Sequence, residues 1–330
     1  MGHEFWKGKN VFVTGADGFI GGWVAKGLVD AGANVTVIIR DLKRQPNALD
    51  FHGMRDKVTI VIGDISDYAV ISRLLNEKSI DTIFHLAAQA IVGTANRSPI
   101  STFESNIKGT WTILEGARVT STVKRVIVAS SDKAYGDQKK LPYTEDQPLH
   151  GLFPYDASKV CADVLAQSYH ASYGLPVCIT RNANTYGGAD GNMSRIVPDT
   201  VCSCLLGKEL IIRSDGTLER DYMYVKDAVS AYLLLGENMH RKEIVGQAFN
   251  FGVGQPVTVI ELFNSIIRLT GSKIKPKILD QAKNEIKKQY LCVDKVKSLL
   301  SWKPAYTLDS GLKETIEWYH SYLKDKGELR

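Results

Sequence analysis

Short apolar runs alternate with longer stretches of helical spacing through the first half of the chain. "NVFVTG", "NVTVIIR", "VTIVIGD", "TIFHLAA" and "RVIVAS" are rich in β-branched residues and apolar at both odd and even positions. Segments between them, such as 20–31 and 107–119, carry apolar residues at i, i+3 and i+4. A strand that is apolar on both faces must be covered on both, and helices between successive strands provide that cover. The pattern therefore predicts an α/β fold with a doubly wound parallel sheet. A sixth strand is expected at "PVCITRNAN", after a helix over 156–173.

Beyond about residue 185 the rhythm loosens. Gly187, Gly188 and Gly191 mark a loop, and a helix containing Cys202 follows. "ELIIRSDGTLERDYMYV" reads as a strand, a turn at Asp215-Gly216 and another strand. A helix after Pro256, a basic strand-like segment and a terminal helix from about Asp309 complete the chain. The expected division is a dinucleotide-binding unit over 1–182 with a returning segment over 222–250. A smaller mixed α/β lobe over 183–221 and 251–330 packs against it. No repeat or low-complexity linker interrupts the pattern.

Composition narrows the partners. The 330 residues carry ordinary apolar and charged fractions, 44% and 23%, and a formal charge of only +5. The densest basic run, Lys283, Lys287, Lys288, Lys295 and Lys297, suits a solvated helix face, so nucleic acid is not implied. No apolar run reaches membrane-spanning length, and the N-terminus shows neither a signal-peptide core nor a myristoylation pattern, Trp6 standing where Ser or Thr is needed. Five cysteines without ligand or pairing spacing point to a reducing, cytoplasmic setting and no metal site.

The first strand leads into "GADGFIGG", with Gly15, Gly18 and Gly21 at the entry to a helix. Glycines allow a tight turn and a close approach of backbone to a pyrophosphate, whose charge the helix N-terminus favours. Phe19 and Ile20 open that helix and belong to the same candidate cofactor loop. The alternative is a glycine-rich turn needed only for close helix packing.

The spacing Gly-x-x-Gly-x-x-Gly, together with Tyr155-Asp156-Ala157-Ser158-Lys159, resembles the extended short-chain dehydrogenase/reductase superfamily in its nucleotide-sugar epimerase/dehydratase branch. "HLAAQ", "SNIKGT", "RNANTYGG", "RDYMYVKDA" and "LSWKPAYTLDSGLKETIEWY" follow in that branch's order across nearly the whole chain. The resemblance implies a Rossmann-like fold, a nicotinamide cofactor, a nucleoside-diphosphate sugar substrate and a homodimer built through two helices per subunit. It assigns Asp64 and Ile65 to the adenine and Leu86, Ala87 and Ala88 to the wall beside the cofactor, with Gln89 toward the substrate. His85 is expected to be a core residue. At the end of the second strand the usual acidic position falls at Ile39, and Arg40 follows, with Lys43 and Arg44 behind it. A guanidinium there favours a 2′-phosphate, so NADP is expected, with Asp41 keeping NAD a close second.

Tyr155 and Lys159, four apart, share one helix face. The expectation is that the ammonium lowers the phenol's pKa and makes Tyr155 a base, with Ser131 holding the substrate oxygen. The alternative is an ordinary exposed helix face. Asp132 and Lys133 directly follow Ser131. The resemblance puts that pair near C5 and C6 of the sugar, as in CDP-glucose and inverting UDP-N-acetylglucosamine 4,6-dehydratases, and Trp23 and "HLAAQAIV" lean toward the CDP-glucose group. Asp132 is then the acid for the departing C6 hydroxyl, and Lys133 the C5 base or enolate stabiliser. "YGDQKKLPYTED" looks equally like a 4-epimerase, so 4-epimerisation stays open, as do an NADPH-consuming reductase and a non-catalytic sensor. Asn184 and Arg220 match positions that hold the substrate diphosphate in relatives, and Arg195 in "SRIVP" is a lesser candidate; each arginine could instead serve a structural ion pair.

Overall fold

The computed structural model describes residues 3–41, 46–281 and 285–329. Lys43, Arg44 and Lys283 lie outside them. Seven parallel strands form the central sheet: β1 (Asn10–Thr14), β2 (Asn34–Ile39), β3 (Thr59–Ile62), β4 (Thr82–His85), β5 (Arg125–Ala129), β6 (Val177–Asn182) and β7 (Ala248–Phe251). Their spatial order is β7-β6-β5-β4-β1-β2-β3. The order reverses beside β1, and that switch point opens a crevice at the carboxyl ends of β1 and β4.

Alternation along each strand divides the core. In β1, Val11 and Val13 pack to one side with Val24 and Leu28 of helix Phe19–Asp30, while Phe12 packs to the other with Ile83, Ile113 and Leu114. Fully burying each such side chain is worth about 2 kcal/mol. Helix Val225–Asn238 lies beside Phe19–Asp30, so close that a Cβ on Gly27 would stand 2.7 Å from Val229. The opposite face is covered by Tyr68–Glu77, Gly109–Val119 and Pro154–Tyr173. Sequence spacing matches these helices to within a few residues, except that 107–119 belongs to a longer run, Pro99–Phe103 leading through a π-turn at Glu104–Lys108 into Gly109–Val119.

Three readings need correction. The seventh strand, β7, has no counterpart in the sequence reading, because Asn250 breaks its short apolar run. Asn250 is nonetheless fully buried, accepting from the Tyr135 hydroxyl at 2.7 Å and donating to the Tyr143 carbonyl at 2.9 Å. The second strand expected near 219–224 is split at Asp221. Glu219–Arg220 pairs with Val257–Thr258 and Lys288–Gln289, whereas Tyr222–Tyr224 pairs with Asn184–Tyr186. Buried Asp221 causes the break by accepting from the Val253 and Gly254 amides, both at 3.0 Å. The basic run is likewise not one helix. Lys288 lies in a strand, while Lys295 sits in helix Asp294–Leu300 and donates to the β7 carbonyl of Ala248 at 2.8 Å.

Among the described residues no helix is long and apolar enough to cross a membrane.

Candidate active site

The loop after β1 is shaped by what its glycines cannot carry. Gly15 has φ +72°, and a Cβ there would stand 2.8 Å from the Ala87 backbone. A Cβ on Gly21 would fall 2.2 Å from the Gly15 carbonyl oxygen. The first turn of Phe19–Asp30 therefore rides directly on the loop, with Gly18 at its N-cap and no side chain closing its free amides. Those amides and the dipole behind them make an anion cradle. Thr14 Oγ1 joins this loop to the end of β4 by accepting from the Leu86 and Ala87 amides at 3.1 and 3.0 Å. Its own proton goes to His85 Nδ1 at 2.9 Å. On the ring's other side Nε2 donates to Thr110 Oγ1 at 3.0 Å, since the Thr110 hydroxyl is spent on the Asn106 carbonyl. Burial, with Lys159 nearby, pulls His85 down to about 3, so it is a neutral core brace.

At the end of β2, Ile39 is buried and Arg40 points outward, 70% exposed, with Nη1 3.7 Å from Asp64 Oδ2. Burial opposes ionisation of Asp64, but the Ser66 amide and hydroxyl, each donating at 2.8 Å, and the charges of Arg40 and Lys108 hold its carboxyl below the usual range. Ile65 is buried against Gly109. These residues fit a dinucleotide laid along the crevice: glycine cradle, exposed guanidinium, and the Leu86–Gln89 loop opposite.

Ser130 and Ser131 follow β5 directly, and a single helical turn, Asp132–Tyr135, comes next. Ser131 caps that turn, its Oγ accepting from the Lys133 amide at 3.2 Å and donating to Asp132 Oδ1 at 3.0 Å. Lys133 Nζ stands 3.6 Å from the same carboxylate oxygen and donates to Asn184 Oδ1 at 3.2 Å. Asp132 is 1% exposed; Gln289 donates to its carbonyl at 3.2 Å, and its Oδ2 has no partner among the described residues. The expected neighbours are therefore together, the Asp132–Lys133 pair meeting Asn184 and Ser131.

Pro154 at the first position of Pro154–Tyr173 starts the helix that presents Tyr155 and Lys159. Lys159 Nζ donates to the Ala129 carbonyl at 2.8 Å and lies 6.0 Å from the Tyr155 ring centre. Burial draws Lys159 down to about 8 and pushes Tyr155 up to about 12. The expectation of a lowered phenol pKa is thus overturned, because desolvation outweighs every nearby charge. The principal charge opposing the rise is Arg195, and Ser131 helps through a hydrogen bond.

Two contributors were missed in the sequence. Asn106, bulged inward by the π-turn, accepts from the Gln89 amide at 2.6 Å and donates to Ser158 Oγ at 2.8 Å, tying the cofactor-side loop to the Tyr155 helix. Asp156 is 8% exposed beside Gly151, and burial raises it to about 6, with Lys133 opposing and Asp132 reinforcing the rise. The signal for Asn106 lay inside "SNIKGT"; nothing in the sequence distinguished Asp156 from a solvated first-turn carboxylate.

The arginines divide. Arg195 lies 5.8 Å from the Phe19 ring centre, between the glycine loop and Tyr155, and pairs with buried Asp190 at 2.9 Å. Arg220 donates to the Glu219 carbonyl at 2.9 Å and pairs with Glu285 at 3.3 Å. Gln89 Oε1 accepts from the Ile91 amide at 3.1 Å. Trp23 reaches from the cofactor helix to donate to the Gly188 carbonyl at 2.8 Å, linking that helix to the loop carrying Arg195.

A family model described as GDP-mannose 4,6 dehydratase matches residues 12–315. The chain belongs to that family. It is 28% identical to a CDP-glucose 4,6-dehydratase of Salmonella typhimurium, over 99% of this chain and 94% of that protein. Among solved structures it resembles a UDP-glucose 4-epimerase from Thermotoga maritima with UDP-glucose, at TM-score 0.88 and 30% identity, covering 95% of this chain and 99% of that one. A dTDP-glucose 4,6-dehydratase from Bacillus anthracis in complex with NAD matches at TM-score 0.84 and 28% identity, covering 96% and 98%. Family membership thus accords with the nucleotide-sugar branch read from "GADGFIGG" and "YDASK".

Proposed function

We propose that the protein is a nucleotide-sugar 4,6-dehydratase, acting on a nucleoside-diphosphate hexose with a bound nicotinamide dinucleotide. The observation that carries this reading is the Asp132–Lys133 pair, held 3.6 Å apart immediately beyond Ser131. Elimination across C5 and C6 needs a base and an acid within reach of adjacent carbons, and a neighbouring ammonium and carboxylate supply both. Gly15, Gly18, Gly21 and the first turn at Phe19 and Ile20 would hold the pyrophosphate, with Asp64, Ile65 and the Leu86–Ala88 wall around the rest. A nicotinamide held there would supply a hydride acceptor for C4 and a hydride donor afterwards, to C6 if the product is a 4-keto-6-deoxy sugar or to C4 if it is a 5,6-ene. Tyr155 receives the C4 hydroxyl proton, and Ser131 orients that hydroxyl. Lys159, drawn down to about 8, fixes the ribose side of the site. Lys133 removes the C5 proton that the C4 ketone has acidified, and Asp132 protonates the departing C6 hydroxyl. Gln89, Asn184, Arg195 and Arg220 form the substrate side. Arg220 pairs with the exposed Glu285, a partner that a diphosphate can replace, whereas Arg195 stays anchored on buried Asp190 and offers its remaining donors.

We further propose NADP as the preferred cofactor. The exposed Arg40 guanidinium at the end of β2 supports it, although the solved dTDP-glucose dehydratase holds NAD. Tenfold tighter binding of NAD than NADP, measured by titration of the cofactor-stripped protein, would reverse that preference. We place the protein in the cytoplasm, consistent with five unpaired cysteines, and as a homodimer joined through the helices of 99–119 and 154–173.

The rival is 4-epimerisation, favoured by the likeness to the Thermotoga maritima enzyme. Incubation with UDP-, CDP-, GDP- and dTDP-hexoses, followed by product mass, separates them. Loss of one water supports dehydration, whereas an isomer of unchanged mass replaces it with epimerisation.

A further inference from the structure

Ser131 stands between the two groups that a dehydration leaves out of proton balance. Its hydroxyl donates to Asp132 Oδ1 at 3.0 Å, and it lies beside the Tyr155 phenol, near enough to oppose the rise in that group's pKa. The Lys133 amide, donating to Ser131 Oγ at 3.2 Å, fixes the hydroxyl's orientation. Asp132 is almost wholly buried, so its carboxyl has little access to protons from bulk water.

When hydride returns to C6, each turnover takes one proton from the C4 hydroxyl and requires one at the departing C6 hydroxyl. The C5 proton leaves and is restored at the same carbon. The tyrosine end thus gains a proton and the aspartate end loses one every cycle. We propose that the C4 hydroxyl proton passes through Tyr155 and Ser131 to Asp132 and leaves with the C6 hydroxyl as water.

The inference rests on the dehydratase reading above. As the substrate O–H bond breaks, the Tyr155 oxygen takes that proton and gives its own to Ser131 Oγ, which gives its own to Asp132 Oδ1. Three O–H bonds break and three form, while the C4–H electron pair departs as hydride to the nicotinamide. Asp132, now neutral, protonates the C6 oxygen as the C6–O bond breaks and returns to carboxylate. Tyr155 begins and ends protonated, which suits a phenol that burial holds near 12. Lys133 Nζ, 3.6 Å from Asp132, is the competing proton source, and it does not couple C4 oxidation to Asp132.

That coupling is the test. Asp132→Asn still accepts from Ser131 but cannot receive a proton. In a single turnover of the cofactor-loaded enzyme, the relay requires Asp132→Asn to slow nicotinamide reduction by about 100-fold or more, alongside water loss. Ser131→Ala falls with it, and Ser131→Thr stays close to wild type. Reduction at the wild-type rate in Asp132→Asn, with reduced cofactor accumulating, overturns the relay and leaves the dehydratase reading standing. If the variants do not fold, the wild-type reduction rate in mixtures of H2O and D2O decides. A bowed dependence on deuterium fraction is expected, and a linear one overturns the relay. A wild-type product of unchanged mass overturns the dehydratase reading, and the relay with it.

Discussion

Gly21 lies against Gly15 so closely that a Cβ at position 21 would sit 2.2 Å from the Gly15 carbonyl oxygen. Neither partner can yield, since the Cβ position is fixed by its own backbone, the oxygen is backbone, and Gly15 is itself pressed on Ala87. Gly21→Ala must therefore push the first turn of Phe19–Asp30 away from the loop. The expected outcome is a loss of about 1–3 kcal/mol in stability and at least tenfold weaker dinucleotide binding. Denaturant titration and cofactor titration check the two parts separately.

Lys133 occupies the centre of the candidate elimination site, with Asp132 on one side and Asn184 on the other. Lys159 is held separately, by the Ala129 carbonyl. Lys133→Ala is therefore expected to leave nicotinamide reduction intact and to slow water loss by about 100-fold or more. Product mass and nicotinamide absorbance read the two steps in one experiment. Unimpaired water loss would remove Lys133 from the mechanism.

What the sequence disclosed follows the range of the forces involved. Six strands were legible because each carries its own apolar pattern. The seventh was hidden because Asn250 is tolerable only through Tyr135 and Tyr143, more than a hundred residues away in the chain. In the same way, the strand end placed Ser131, Asp132 and Lys133, and helical spacing placed Tyr155 and Lys159. The direction of the Tyr155 shift was not legible, since desolvation sums over every element that closes on the ring. Asp156 was invisible for that reason too, its burial depending on Gly151 and the turn carrying Lys133.

The burial of Asp156 has a measurable consequence. Its carboxyl, faced by Lys133 and Asp132 from the adjoining turn and by Tyr155 on its own helix, is raised from 3.8 to about 6. Between those values the folded chain binds a proton that the unfolded chain has lost, so stability falls as pH rises through that window. Above it the ionised group costs at most about 3 kcal/mol. Asp156→Asn should accordingly stabilise the protein at pH 8 by about 1–3 kcal/mol, with the gain vanishing near pH 4. Urea unfolding of both proteins at the two pH values measures it, and a gain independent of pH would exclude ionisation as the cause.

The proposed dimer makes a demand on the helices opposite the cofactor helix. Ile100, Phe103 and Trp111 in the run 99–119, and Val164 in Pro154–Tyr173, remain 78%, 37%, 44% and 52% exposed. The two helices pack together on one face of the sheet, so these side chains form part of one outward surface. Large apolar residues grouped on a surface mark a contact site more often than chance exposure does, and a tryptophan among them is a natural anchor. Trp111→Glu places a charge where a self-complementary interface would bury the indole. Dimer affinity should fall by about 2 kcal/mol or more, roughly 30-fold, with little change in the stability of the monomer. Sedimentation velocity over a concentration series reads the effect. A wild-type chain that sediments as a monomer at every concentration would remove the dimer from the proposal, and a Trp111→Glu dimer of undiminished affinity would move the interface to another face.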